Sequence, residues 1–449
     1  MNHTIRGGKA GLWRALSLLL TLSLLLSTFA MTTFAAEPQA GAKYVSQGPS
    51  TTGTTYYVDA ENGSDENSGT SAAEAWQTLD KVSATTFKPG DHILLRASST
   101  WNGDSEYKGG SAANNDLKAS GNTLWPKGNG TAANPIVIDL YELDKNGQPV
   151  YEADTRPVIN GNGTWGIGAK KTLVSAPVMI YNQDGFEFYN LEVTNMPADQ
   201  MGDPNAYKAN GEAQRCGILV YEDDQERQFE HIVVKNCYVH DVQTEHHNKR
   251  NDTSFEGLKA CGGIIILGHY LNPDADWMVG GSGSNNPDRP SSDRGKANVK
   301  LNDVVIENNY VQRVGLEGIR TKNQSNYNAS GNTFNKTFTN VIIRGNYLEE
   351  IAGDGIVMTE VVGGVTENNV AKQPNDADYG TTNYAGVWSM FADDILFQYN
   401  EVYGIRYGYN DGEAYDIDLS SVNNTYQYNY SHHNSGGFML FMGDQRDSV

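Results

Sequence analysis

From about residue 178 onward the chain repeats one pattern of apolar and polar positions. Two or three alternating β-branched or aromatic residues lead into an Asn, and an aromatic residue or Val follows. The phrase reads Phe186-Glu187-Phe188-Tyr189-Asn190-Leu191, and it returns over residues 232–238, 304–310, 341–347, 364–370, 395–400 and 425–429. A second phrase, a small residue and then a short alternating strand, follows most copies. It begins at Gly217, Gly263, Gly318, Gly355, Gly386, Ala414 and Gly437. Alternation with a period of two predicts strands. Copies spaced about 25–55 residues apart, with no helical pattern between them, predict a solenoid of stacked strands. Asn suits the corners of such a solenoid. It tolerates left-handed backbone, and its amide can bond to the Asn above and below. A β-sandwich also alternates, but it gives no reason for an Asn-aromatic phrase to recur seven times. The expected fold is therefore all-β, a right-handed, single-stranded parallel β-helix.

The start of the chain reads differently. Tyr56-Tyr57-Val58 predicts a strand and residues 59–70 a polar turn; residues 74–82 have room for one or two helical turns. Pro89-Gly90-Asp91 predicts a tight turn and His92-Ile93-Leu94-Leu95 a strand. A short helix followed by a strand this early predicts a cap over the open end of the helix. Residues 1–36 read as a signal peptide, with Arg6, Lys9 and Arg14 ahead of an apolar core from Leu16 to Leu26 and small residues near Ala35 and Ala36. That core is shorter than the roughly 20 residues a membrane span needs. Cleavage, export and an extracellular location without a membrane partner are expected. Residues 37–55 are expected to be a flexible leader and 56–449 the β-helix. The last residues, Phe438-Met439-Leu440-Phe441-Met442 and seven more, read as mid-coil. Truncation at the C-terminus and further domains of a longer chain are expected from this.

With 33 basic and 54 acidic residues, the formal charge is −21. Nucleic acid demands dense Lys and Arg, so that balance argues against it, and anionic membrane surfaces are disfavoured for the same reason. An acid-rich groove suits neutral sugars or cations. Cys216, Cys237 and Cys261 contain no CxxC pair and are expected to be small buried residues, not zinc ligands. Residues 59–65 (DAENGSD) lack the distal Glu of a calcium loop and read as a turn. No GxSxG, HExxH or phosphate-binding loop is present in the sequence.

Several short stretches together carry a resemblance. They are Tyr56-Tyr57-Val58-Asp59 with Asn62-Gly63, Trp76-Gln77-Thr78-Leu79, and Phe87-Lys88-Pro89-Gly90-Asp91. Asn134-Pro135-Ile136-Val137-Ile138 followed by Arg156-Pro157-Val158-Ile159-Asn160-Gly161 completes the set. The chain resembles, over roughly residues 55–449, the secreted right-handed parallel β-helix carbohydrate-active proteins of the pectate-lyase-like superfamily. The resemblance implies fold, secretion and a polysaccharide substrate. It leaves the reaction open, because the superfamily contains both lyases and glycoside hydrolases. It also implies calcium as a frequent helper of the lyases.

Candidate chemistry comes from the outward positions of the second phrase. If the residue after each Gly points inward, one outward stack is Leu219, Ile265, Arg320, Val357, Trp388, Asp416 and Met439. Its neighbour is Val220 or Tyr221, Leu267, Lys322, Thr359, Met390, Asp418 and Phe441. Charges at the ends with Trp388 between them predict a solvent-exposed sugar groove. Asp416 and Asp418, two apart on one strand, would have Cβ atoms roughly 6.5–7 Å apart. Glu413 precedes that strand, and Asp354 holds the equivalent place two coils earlier, about 10 Å away at about 4.8 Å per coil. Inverting glycosidases use carboxylates about 6.5–9.5 Å apart and retaining ones about 5–5.5 Å, so the spacing fits inversion somewhat better. The same acids would also suit cation binding or a merely solvated surface. The expected catalytic residues are Asp416, Asp418 and Asp354, with Arg320, Lys322, Trp388, Glu413 and His432 holding sugar. Trp388 is read as a stacking platform, with cover by a loop as its alternative. No metal or cofactor is required in this reading; calcium stays open. A lyase is the rival, with Lys322 removing a C5 proton and Arg320 neutralising a uronate. A non-catalytic glycan-binding module is the third alternative. His246-His247 are weak metal candidates.

Overall fold

The computed structural model describes residue 35 and residues 41–103, 123–163, 175–209, 211, 214–244, 259–268, 299–323, 336–377, 384–406 and 411–442. The expected signal sequence up to residue 34 and the pair His246-His247 lie outside the described residues.

Three long sheets, of eleven, nine and eight strands among the described residues, run the length of the molecule and are parallel except where Pro149–Val150 pairs antiparallel with Ile136–Leu143. The chain visits them in rotation. Phe186–Tyr189 lies in the eleven-stranded sheet, Glu192–Asn195 in the nine-stranded sheet and Cys216–Glu222 in the eight-stranded sheet, and Gln228–Lys235 then returns to the first. Each strand pairs in parallel with its counterpart one coil on, as Phe186 does with Ile232 and Ile232 with Val304. This is the right-handed parallel β-helix expected from the repeat. Its interior is one continuous core, to which inward residues such as Phe188, Val234, Ile306, Ile343 and Phe397 contribute from successive coils.

The two recurring phrases have separate physical causes. In the first, one residue turns the chain and the next ties the coils together. Asn308, Gly345, Asn368, Tyr399 and Tyr428 take left-handed backbone, with φ between 55° and 65°. The following residues, Asn309, Asn346, Asn369, Asn400 and Asn429, form a buried ladder in which each Nδ2–H donates to the next Oδ1 at 2.9–3.0 Å. The turning and bonding roles expected of one Asn are thus divided between neighbours. In the second phrase Gly217, Gly263, Gly318 and Gly386 mark where the eight-stranded sheet pinches against the nine-stranded one. A Cβ there would come within 2.3–2.8 Å of Val239, Val311, Leu348 or Val402.

The expected cap is present. The helix Leu79–Ala84 begins at Thr78, whose side chain accepts from the Lys81 N–H at 3.1 Å. Leu79 and Val82 bury fully against the first coils, beside Trp76, which stacks on Tyr56 at 4.9 Å.

Candidate active site

The outward face of the eight-stranded sheet carries the residues of interest. Its register places Met179, Leu219, Ile265, Arg320, Val357, Trp388, Asp416 and Leu440 in one column. Two details of the expected stacks are corrected. Gly437 pairs with Glu413, not Ala414, so Met439 lies opposite Tyr415 and packs on the core while Leu440 joins the column. Phe441 likewise pairs with Ile417 and not with Asp418. The slip arises because Gly437 serves a different need from the earlier glycines: it takes φ of 102°, a conformation that favours Gly.

The larger correction concerns solvent. The column is covered, not a wet groove. Arg320 and Asp354 are fully buried, and Trp388, Asp416 and Lys322 are 4%, 5% and 6% exposed. In the N-terminal half, Met179, Leu219 and Ile265 form a second hydrophobic cluster with Tyr207, Leu316 and Tyr384. Strand alternation separates inside from outside. It says nothing of what packs over the outer side.

In the C-terminal half the covered residues are charged and mutually engaged. Arg320 Nη1 lies 3.1 Å from Glu317 Oε2 and 3.8 Å from Asp354 Oδ2, and Lys259 Nζ lies 3.4 Å from the same Oδ2. The other Asp354 oxygen, Oδ1, accepts from Trp388 Nε1–H at 2.9 Å and from the Ala385 N–H at 2.7 Å. Lys259 and Arg320 stand 5.5 and 5.6 Å from the Trp388 ring. Trp388 is therefore no open platform. It is a buried indole tied to Asp354, with two cations beside its ring. Lys322 is buried near Glu360, whose carboxyl burial pushes up to about 7 against the opposing pull of Lys322 and Arg320.

The strand Glu413–Ile417 and its flanks bring four acids together: Asp411, Glu413, Asp416 and Asp418. Asp416 is the most perturbed of those whose shift is resolved. Burial, then the charges of Asp418, Glu413, Asp411 and Asp354, push its carboxyl up to about 9. Burial, then the charges of Asp411, Asp354 and Asp418, push Glu413 up to about 8. Asp416 Oδ1 and Glu413 Oε1 are buried with no hydrogen-bond partner among the described residues. Asp418 is half-buried, its N–H bonded to Ser389 O at 2.9 Å and its Oδ1 accepting from the Leu419 N–H at 2.6 Å. Such a set can present a protonated acid and a more accessible carboxylate side by side.

Of the residues singled out from sequence, Arg320, Asp354 and Trp388 are in mutual contact, and Glu413, Asp416 and Asp418 share one segment within the field of Asp354. His432 does not join them. It lies in the nine-stranded sheet, its ring 4.6 Å from Tyr403 and its Nε2 3.0 Å from Glu401. Sequence reasoning missed Asp411, Glu317, Lys259 and Tyr384. Glu317 could have been found: it precedes Gly318 as Asp354 precedes Gly355. Lys259 and Tyr384 belong to irregular segments outside both phrases. The three cysteines are buried free thiols, and no group of three or more His, Cys, Asp or Glu among the described residues is placed to hold a metal.

No family model matches the chain. In sequence it is 26% identical to lacto-N-biosidase of Bifidobacterium longum subsp. longum over 491 aligned residues, which cover 96% of this chain and 27% of that relative. In structure it is similar to the GH136 lacto-N-biosidase of Eubacterium ramulus. The selenomethionine derivative superposes with a TM-score of 0.61 at 23% identity, over 87% of this chain and 57% of that one. The native protein gives 0.60 at 22% over the same shares. The chain thus spans about a quarter of the curated relative and over half of the solved ones. It is a parallel β-helix similar, across most of its length, to lacto-N-biosidases.

Proposed function

We propose that this chain is the β-helix of a secreted glycoside hydrolase that acts on glycans as lacto-N-biosidases do. The observation that carries the reading is a buried Asp416 carboxyl pushed up to about 9, two residues from the half-buried Asp418. A carboxylic acid that keeps its proton near neutrality serves as general acid to the leaving oxygen, and a more exposed carboxylate next to it serves as base or nucleophile. Glu413 and Asp411 line the same segment and help push the Asp416 carboxyl up. The 26% likeness to a lacto-N-biosidase supports hydrolysis over elimination. So does Arg320, which is engaged with Glu317 and Asp354. Export rests on the apolar core and basic residues of positions 1–36. The scheme assigns both proton transfers to carboxylates and calls on no cation.

An aryl glycoside of lacto-N-biose, and a glycan panel followed for reducing ends and for absorbance near 235 nm, test the reading. Aglycone release and new reducing ends without that absorbance are expected, unchanged by a chelator. Unsaturated products would point to elimination, and binding without turnover to a non-catalytic module. NMR of the first-formed anomer reports the stereochemistry, which the one-strand spacing of Asp416 and Asp418 favours as inversion.

A further inference from the structure

Asp354 and Glu413 occupy the same register position two coils apart, with Ala385 between them. Trp388, in that middle coil, pairs directly with Asp416. Asp354 therefore reaches the acid cluster along two routes: as a charge one coil beyond the neighbour, and through the indole N–H that it fixes. Its two oxygens have separate duties. Oδ1 takes both N–H donors, from Trp388 and Ala385; Oδ2 faces Lys259 and Arg320.

We propose that Asp354 is a positioning residue for the reaction: its Oδ2 offsets the buried cations Lys259 and Arg320, while its Oδ1 holds Trp388 against the strand that carries Asp416. The assignment rests on the glycoside-hydrolase reading, with Asp416 as acid. The groups that face Asp416 are Glu413 and Asp418 on its own strand and flank, Asp411 just before it, and Trp388 from the adjacent coil. From the following coil, the Tyr426 hydroxyl donates to its backbone carbonyl at 2.8 Å. Anions alone would hold the proton. Cations brought close would draw it off, and Asp354 and Glu317 are the acids that lie against Lys259 and Arg320. The charge of Asp354 is among those that hold Asp416 and Glu413 up.

Asp354→Asn separates the two duties. The Asn Oδ1 can still accept from Trp388 and Ala385, while the charge facing the cations is lost. The Asp416 midpoint, followed by carbon-13 NMR of labelled aspartate carboxyls with Asp416→Asn for assignment, is expected to fall by at least one unit, which is tenfold in its proton affinity. The basic limb of the kcat profile should move to lower pH by the same amount, with kcat down about tenfold above pH 9 and close to wild type at pH 7 and below. Lys259→Gln should move the midpoint the opposite way, upward, and it decides alone if Asp354→Asn does not fold. An unmoved midpoint in either variant, or a loss of kcat equal at every pH, overturns the proposal. If the wild-type chain turns over no glycan, the hydrolase reading fails, and the carboxyl titrations still decide the coupling between Asp354 and Asp416.

Discussion

On the outer face of the eight-stranded sheet, Met179, Leu219 and Ile265 give way within one column to Arg320, Trp388 and Asp416. Both stretches are buried and both stand on the same ladder of parallel strands, so backbone geometry does not distinguish them. The difference lies in what burial does to each. Apolar side chains gain from leaving water, and the N-terminal half becomes a second core. Carboxylates lose hydration, and only some of the charges in the C-terminal half find compensation. Arg320, Lys259 and Asp354 lie against one another, whereas burial pushes the carboxyls of Glu317, Glu413 and Asp416 up, Glu317 despite its contact with Arg320. One half of the face stabilises the fold. The other half gives up stability for groups with unusual proton affinity, which is where chemistry is expected.

The widest separation between the halves should appear in turnover. Asp416→Asn or Asp418→Asn should lower kcat by about 10²–10⁴-fold, the range general acid–base groups contribute. Leu219→Ala should leave kcat within about twofold yet cost about 2–5 kcal/mol of stability in denaturant unfolding, as buried Leu truncations do. Loss of activity from Leu219→Ala in a fully folded protein would dissolve the distinction. A smaller effect concerns pH. The Asp416 carboxyl sits at about 9 in the fold and near 4 in an unfolded chain, so its contribution to stability is full in acid and drains away as pH rises between those values. Asp416→Asn should therefore raise Tm at pH 7 by about 2 °C and do little at pH 4. The smallest effect falls outside the site. His231 bridges coils through Glu187 at 2.8 Å and Asp303 at 2.7 Å, and these bonds hold its pKa above the ordinary value. Its stabilisation is present below about pH 6.5 and lost as pH rises through the raised value. His231→Gln should erase a Tm difference of about 1 °C between pH 6 and pH 9.

Much of the fold is legible in the chain because its causes are local and repeated. Left-handed corners select Asn, Gly or a tolerated Tyr; the ladder selects Asn309, Asn346, Asn369, Asn400 and Asn429; the pinch between sheets selects Gly217, Gly263, Gly318 and Gly386. Each constraint recurs once per coil, so each leaves a periodic trace. The candidate site is only half legible. Period-two alternation correctly turned Arg320, Trp388 and Asp416 away from the core, but it mispredicted their exposure; His432, a candidate because histidine titrates near neutrality, stands on another sheet.

The sequence by itself determined the solenoid, its cap, its corners and the side of the sheet on which the charged residues stand. Only the tertiary structure decided that these residues are buried, that Lys259 and Tyr384 reach them from irregular segments, and that Asp354 lies against the cations Lys259 and Arg320. Facing is set by backbone geometry within a few residues, whereas burial and proton affinity depend on groups brought close by chain remote in sequence.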